Sequence, residues 1–150
     1  MQDIAGCRFI VPDIAFQNEA VQTLLGERVP AHLDDRRERP SHGYRAVHLI
    51  ASAMSKPIEI QIRTVLQHTW AELSEKYSDV VDPTIKYGGG PAEVREILSQ
   101  SSELVAILEQ LELDPGRTSA DAVDVLRQNL RRLMQTEMDN LRRSTSVGGR

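Results

Sequence analysis

Two stretches of strict alternation lie close together in the middle of the chain. From Tyr44 to Ile50, the residues Tyr44, Ala46, His48 and Ile50 fall on one face and Arg45, Val47 and Leu49 on the other. From Ile58 to Arg63, isoleucines at 58, 60 and 62 alternate with Glu59, Gln61 and Arg63. A period of two places successive side chains on opposite sides of a strand. With a turn around Ser55-Lys56-Pro57, the pattern predicts a β-hairpin. One of its faces carries isoleucines, and the other a carboxylate, an amide and a guanidinium. The period then changes. Thr64-x-x-Gln67 is a capping box and predicts a helix to about Tyr77. Leu66, Trp70, Leu73 and Tyr77 form its apolar stripe, while His68 and Glu72, four apart, share another face.

Upstream, residues 7–11 (CRFIV) read as a strand stopped at Pro12. Asp13 is placed to cap a helix from about Ile14 to Leu25, with Phe16, Ala20, Val21 and Leu24 on its apolar face and Gly26 ending it. Residues 27–41 leave room for a short strand near Arg28-Val29 before DDRRERPSHG, a polar loop dense in arginine. Downstream, Asp82-Pro83 and Gly88-Gly89-Gly90-Pro91 mark a loop. Two amphipathic helices follow. The first runs from about Pro91 to Leu111, with Val94, Ile97, Leu98, Val105, Leu108 and Leu111 on its face. The second runs from about Ser119 to Arg143, with Val123, Leu126, Leu130, Leu133, Met134, Met138 and Leu141 on its face. This order predicts an α/β (α+β) fold: a mixed β-sheet with packed helices over 1–87, an antiparallel helical pair over 88–143 and a disordered tail over 144–150. The apolar stripes of the pair are long for packing alone and point to a homo-oligomer contact through these C-terminal helices.

Composition narrows the picture. A chain of 150 residues fits one domain and buries roughly 70% of its unfolded surface. The formal net charge of −4 makes nucleic acid an unlikely partner, because phosphate contacts need positive surface. Any anionic ligand then depends on a local basic cluster. The single Cys7 cannot close an internal disulfide, which fits a reducing compartment. No apolar run approaches the ~20 residues that span a bilayer, and Met1-Gln2-Asp3-Ile4 does not read as the start of a signal peptide. No membrane association and a cytoplasmic location are therefore expected. His68 and Glu72 face together as a metal pair could, but HTWAE lacks the second histidine of a zincin.

Three segments, "DIAGCRFIV", "GYRAVH" and "EIQIRTVLQHTWAE", together resemble the synthetase domain of the RelA/SpoT family, the enzymes that make the alarmone (p)ppGpp, with small alarmone synthetases among them. The resemblance covers roughly the first half of the chain. It implies a nucleotidyltransferase-like sheet and Mg²⁺-dependent transfer of pyrophosphate from ATP to the 3′-hydroxyl of GDP or GTP. Asp3 and Glu59 match the family's two acidic positions: Asp3 as a Mg²⁺ ligand, Glu59 holding Mg²⁺ or helping to deprotonate the 3′-hydroxyl. Tyr44 matches the aromatic residue on which guanine stacks. His48, Gln61, Arg63 and His68 match polar positions lining the nucleotide site, and Arg8 matches a basic position on the first strand. Arg36, Arg37 and Arg39 lie where the family carries Lys and Arg toward the acceptor's phosphates. His42 stands where the family usually has Asn or Ser, and Pro40, beside Arg39, where Lys is frequent. Family members also carry an R-x-K strand before the DIAG-like strand to grip ATP. This sequence starts two residues before Asp3, so ATP affinity is expected to be low without that element.

Other readings remain open. Tyr44 also suits cross-strand packing, His48 a satisfied core position, Glu59, Gln61 and Arg63 a solvated sheet face, and His68–Glu72 a helix-surface pair. At the level of function, the alternatives are a catalytically inactive nucleotide-binding or interaction module, and a pyrophosphokinase acting on an adenine nucleotide or a tRNA 3′ end.

Overall fold

The computed structural model describes residues 5–27, 31–53, 55–114, 116 and 118–147. Asp3 and the strand considered at Arg28-Val29 lie outside them. Four strands form one mixed sheet in the order β1-β4-β3-β2: β1 Ala5–Val11, β2 Ala31–Asp35, β3 Val47–Ala53 and β4 Lys56–Thr64. β1 runs parallel to β4, and the β4-β3 and β3-β2 pairs are antiparallel. Helices α1 (Ile14–Gly26), α2 (Val65–Val80), α3 (Ala92–Leu113) and α4 (Ala120–Val147) complete the fold, with a 3-10 turn at Ile85–Tyr87. No described helix is long and apolar enough to cross a membrane.

The alternation sets which face of the sheet is covered. Val47, Leu49 and Ile62 point toward α1 and bury against Val21, with Ile60, Val11 and Leu24 around them. A second core joins α2, α3 and α4 through Leu66, Trp70, Tyr77, Leu98, Val105, Leu130 and Met134. The capping box is present: Thr64 Oγ1 accepts from Gln67 N–H, and the Gln67 side chain accepts from Thr64 N–H.

Several expected boundaries and faces move. The expected Tyr44 strand begins instead at Val47. His42 (φ 53°) and Gly43 (φ 89°) both take left-handed conformations. They form a tight turn closed by Tyr44 N–H donating to Ser41 O at 2.9 Å, the geometry of a turn with two positive central φ angles. That turn lifts Tyr44 off the ladder. The buried face of α1 contains Ile14, Gln17 and Val21, whereas Phe16 is 54% exposed. The rotation follows from Gln17, whose amide donates to Ile62 O (2.7 Å) and to Gln67 Oε1 (2.8 Å). On α3 and α4, Leu98, Val105, Leu108, Val123, Leu130, Met134 and Met138 are buried, but Ile97, Leu126 and Leu133 face outward. α4 continues past the expected end at 143 to Val147.

Two variants test what holds the Tyr44 turn and the helix junction. A Cβ on Gly43 would lie 2.6 Å from the Trp70 ring. Gly43→Ala should therefore destabilise by about 2–4 kcal/mol through strain and overpacking. Gly26 has nothing within 4 Å of a built Cβ, so Gly26→Ala should gain up to ~1 kcal/mol by helix propensity and unfolded-state entropy. Denaturant midpoints of the two proteins separate these outcomes, and equal midpoints would refute the packing of Gly43 on Trp70. Glu109 is buried, and that burial raises its carboxyl above the ordinary 4.5, opposed by hydrogen bonds from Thr64 and Gln67. The folded chain thus holds that proton to higher pH than the unfolded one, and stability falls as pH rises from about 4.5 through the folded value. Glu109→Gln keeps an acceptor for both bonds and does not titrate. The variant's melting temperature should rise relative to wild type between pH 4.5 and 7, and a constant difference would contradict the buried carboxyl.

Candidate nucleotide site

The uncovered face of the sheet is polar by register. Arg8 pairs with Gln61, Gln61 with His48, and His48 with Asp34, so four polar residues cross all four strands in one line. Gln61 Oε1 accepts from Arg8 Nε at 3.3 Å and from Arg63 Nη2 at 3.1 Å. Glu59, one step along β4, reaches diagonally back: its Oε1 lies 2.6 Å from His48 Nδ1. The turn at 41–44 brings Tyr44 over this face from outside the ladder. Its hydroxyl lies 2.9 Å from His48 Nε2 and accepts from Arg63 Nη2 at 2.8 Å, and the two rings meet edge-on at 82°. Arg63 and Arg36 stack their guanidinium groups 5.0 and 5.8 Å from the Tyr44 ring centroid, close enough for cation–π attraction.

The electrostatics follow from burial. His48 is held below its ordinary value by desolvation and by Arg36, with Glu59 and Asp34 opposing. His68, on the first turns of α2, is lowered by burial, with Arg63 and Arg8 adding to the effect and Glu72, whose Oε1 is 3.6 Å from Nε2, opposing it. Both imidazoles are therefore neutral at neutral pH. Arg63 Nε and His68 Nδ1 are buried without a hydrogen-bond partner among the described residues. With Arg8 nearby, the unspent Arg63 Nε–H and the two guanidinium charges suit an anion such as a phosphate.

The structure thus brings Arg8, Arg36, Tyr44, His48, Glu59, Gln61 and Arg63 onto one face, with His68 at its margin. It does not bring Arg37 there. Arg37 turns to the α1 side, where its guanidinium binds Asp35 at 2.6 Å, Asn18 at 2.7 Å and Gln17 at 3.2 Å. Arg39 is exposed on the loop beyond β2. Asp34 was hidden in the sequence inside the DDRRER run. It belongs to β2, stands in register with His48 and pairs with Arg36 at 2.9 Å. An alternating reading of His32-Leu33-Asp34-Asp35 as an edge strand is the signal that could have found it.

A family model described as a region found in RelA / SpoT proteins matches residues 1–78. The uncharacterized proteins Rv1366 of Mycobacterium tuberculosis and Mb1401 of Mycobacterium bovis are each 33% identical over 130 residues, covering 81% of this chain and 46% of their own. The chain thus spans about half the length of these curated relatives. Among solved structures, the small alarmone synthetase 1 from Bacillus subtilis is similar at 26% identity and a TM-score of 0.58, over 76% of this chain and 62% of that one. The same protein bound to its product pppGpp is similar at 25% identity and a TM-score of 0.59, over 79% and 65%. The fold, a mixed sheet with packed helices, is therefore similar to that of a small alarmone synthetase, and the chain belongs to the RelA/SpoT family.

Proposed function

We propose that the chain transfers a pyrophosphoryl group from ATP to the 3′-hydroxyl of GDP or GTP. The observation that supports this most is the convergence of an aromatic ring, a carboxylate and basic side chains on one uncovered sheet face in a chain of this family. In the reaction, the acceptor's 3′-oxygen bonds to the β-phosphorus of ATP. The bond from that phosphorus to the α,β-bridging oxygen breaks, and AMP leaves. The hydroxyl proton passes to Glu59. Because Glu59 Oε1 is committed to His48, the carboxylate's other oxygen receives it. Glu59 keeps 31% of its side chain exposed, so the group is reachable. Tyr44 offers its ring to the base, while Arg36 and Arg63 beside that ring, and Arg8 further along the sheet, offer donors to phosphates.

The donor set fits Mg²⁺. Carboxylate oxygens are hard ligands, and this cation takes one or two of them while keeping waters and phosphate oxygens. Asp3, the carboxylate matched to the family's metal position, would hold it, leaving Glu59 as the proton acceptor. Bound there, the ion would neutralise charge developing on the transferred phosphates.

Incubation of the chain with ATP, Mg²⁺ and GDP or GTP should yield AMP and a 3′-pyrophosphorylated guanine nucleotide on anion-exchange chromatography. Glu59→Gln should abolish the product with the melting temperature unchanged, because the side chain faces away from the apolar core. Full activity in that variant removes the Glu59 assignment. Tyr44→Ala should weaken GDP binding by roughly 1–3 kcal/mol, the scale of one base–aromatic stack, and calorimetry showing unchanged affinity would return Tyr44 to a packing role. Nucleotide binding without turnover would move the assignment to an inactive binding module.

A further inference from the structure

His48 sits where the polar line of the sheet meets the Tyr44 turn. It is 5% exposed, and Arg63 beside it is 4% exposed. A neutral imidazole carries one proton, so one ring nitrogen donates and the other accepts. A carboxylate only accepts. Glu59 Oε1, 2.6 Å from Nδ1, therefore places the proton on Nδ1. Nε2, 2.9 Å from the Tyr44 hydroxyl, must then accept that hydroxyl's proton. The phenolic oxygen keeps its lone pairs for Arg63 Nη2 at 2.8 Å. Each hydrogen bond in the series Arg63 to Tyr44 to His48 to Glu59 fixes the direction of the next, and burial leaves the imidazole little freedom to turn. The neighbouring charges agree. Asp34 stands in register on β2, Arg36 pairs with it, and Gln61 on β4 is spent on Arg8 and Arg63.

We propose that His48 is a positioning residue that locks the Glu59 carboxylate to the Tyr44 hydroxyl, making the base platform and the proton-accepting carboxylate one rigid unit. The catalytic consequence rests on the pyrophosphoryl-transfer reading, whereas the hydrogen-bonded bridge does not. A base that settles on the Tyr44 ring then meets a carboxylate already aimed, with one oxygen held by Nδ1–H and the other directed outward. A carboxylate released from that bond would sample several rotamers, and misplacement of about 1 Å at a reacting group is worth up to roughly 100-fold in rate.

The test has two arms on the full chain. In the first, nitrogen NMR of ¹⁵N-labelled protein at neutral pH should show His48 protonated at Nδ1 and bare at Nε2. Tyr44→Phe, which deletes only the hydroxyl, should shift the Nε2 signal and the ¹³C carboxyl signal of Glu59. In a His48→Ala background, Tyr44→Phe should leave the Glu59 signal unmoved. An Nε2-protonated tautomer, or a Glu59 shift that survives His48→Ala, overturns the bridge. In the second arm, His48→Ala should lower kcat by about 10- to 100-fold with little change in acceptor KM. His48→Asn, which restores an N–H near Nδ1, should recover part of that loss. Equal loss in both variants, or none in either, overturns the positioning role; melting temperatures confirm that each variant is folded, and His48→Asn serves if His48→Ala is not. A wild-type chain without turnover refutes the transferase reading alone, since the NMR arm still decides the bridge.

Discussion

Four elements meet at one buried carboxylate. Glu109 of α3 accepts from Thr64 Oγ1 at 2.8 Å and from Gln67 Nε2 at 2.9 Å. Gln67 and Gln17 bond to each other through their amides, and Gln17 donates onward to Ile62 O. Sheet, α1, α2 and α3 thus share one polar node in an otherwise apolar interior. Such a node stabilises only when every member is satisfied, since a buried donor or acceptor left alone costs about 1–3 kcal/mol. Here the side-chain nitrogens and Thr64 Oγ1 all find acceptors. These two donors and Arg37 nearby oppose the cost of ionising Glu109 in that setting but do not cancel it, and its carboxyl stays above the ordinary value.

The node explains where the polar face gets its order. Ile62 and Thr64 are tied into it, and Arg63 lies between them on the same strand, pointing the other way. A strand fixed at both neighbours has little freedom to slide or roll, so Arg63 can remain buried with one guanidinium nitrogen unspent. The capping box starts α2 in the next residue, and His68 follows one turn later. A single junction between a period of two and a period of 3.6 therefore sets the spacing of Gln61, Arg63 and His68.

What was legible in the sequence was local. The alternation of β4 and the Thr64–Gln67 cap depend on neighbouring residues, and both appear as read. The side of the sheet bearing Glu59, Gln61 and Arg63 was also legible, since isoleucines had to be the covered set. Register was not. The 2.6 Å approach of His48 to Glu59 depends on which residue of β3 faces Gln61, and a slip by one would have sent His48 into the apolar core. Tyr44 was misread as a strand residue because alternation continues through Arg45 and Ala46, while the deciding feature was a left-handed pair at His42-Gly43. The α1 face was rotated because Phe16 outranks Gln17 on any hydrophobic scale. Only the partners of Gln17, distant in sequence, make its burial favourable.

The helical pair does more than cover α2. Ser102 of α3 donates to Gly43 O at 2.6 Å and accepts from Arg45 Nε at 3.0 Å. Arg45 in turn donates to Arg37 O at 2.8 Å, and Trp70, its indole N–H bound to Leu98 O at 2.8 Å, backs Gly43. The turn that carries Tyr44 is consequently clamped from both flanks by α2 and α3. Tyr44 has no ladder to hold it, so its aim over His48 depends on these contacts with helices remote in sequence. The last part of the chain, which carries none of the family's motifs, is thereby a mechanical part of the site: α4 presses α2 and α3 together through Leu130, Met134 and Met138, and the clamp on Gly43 is only as firm as that packing.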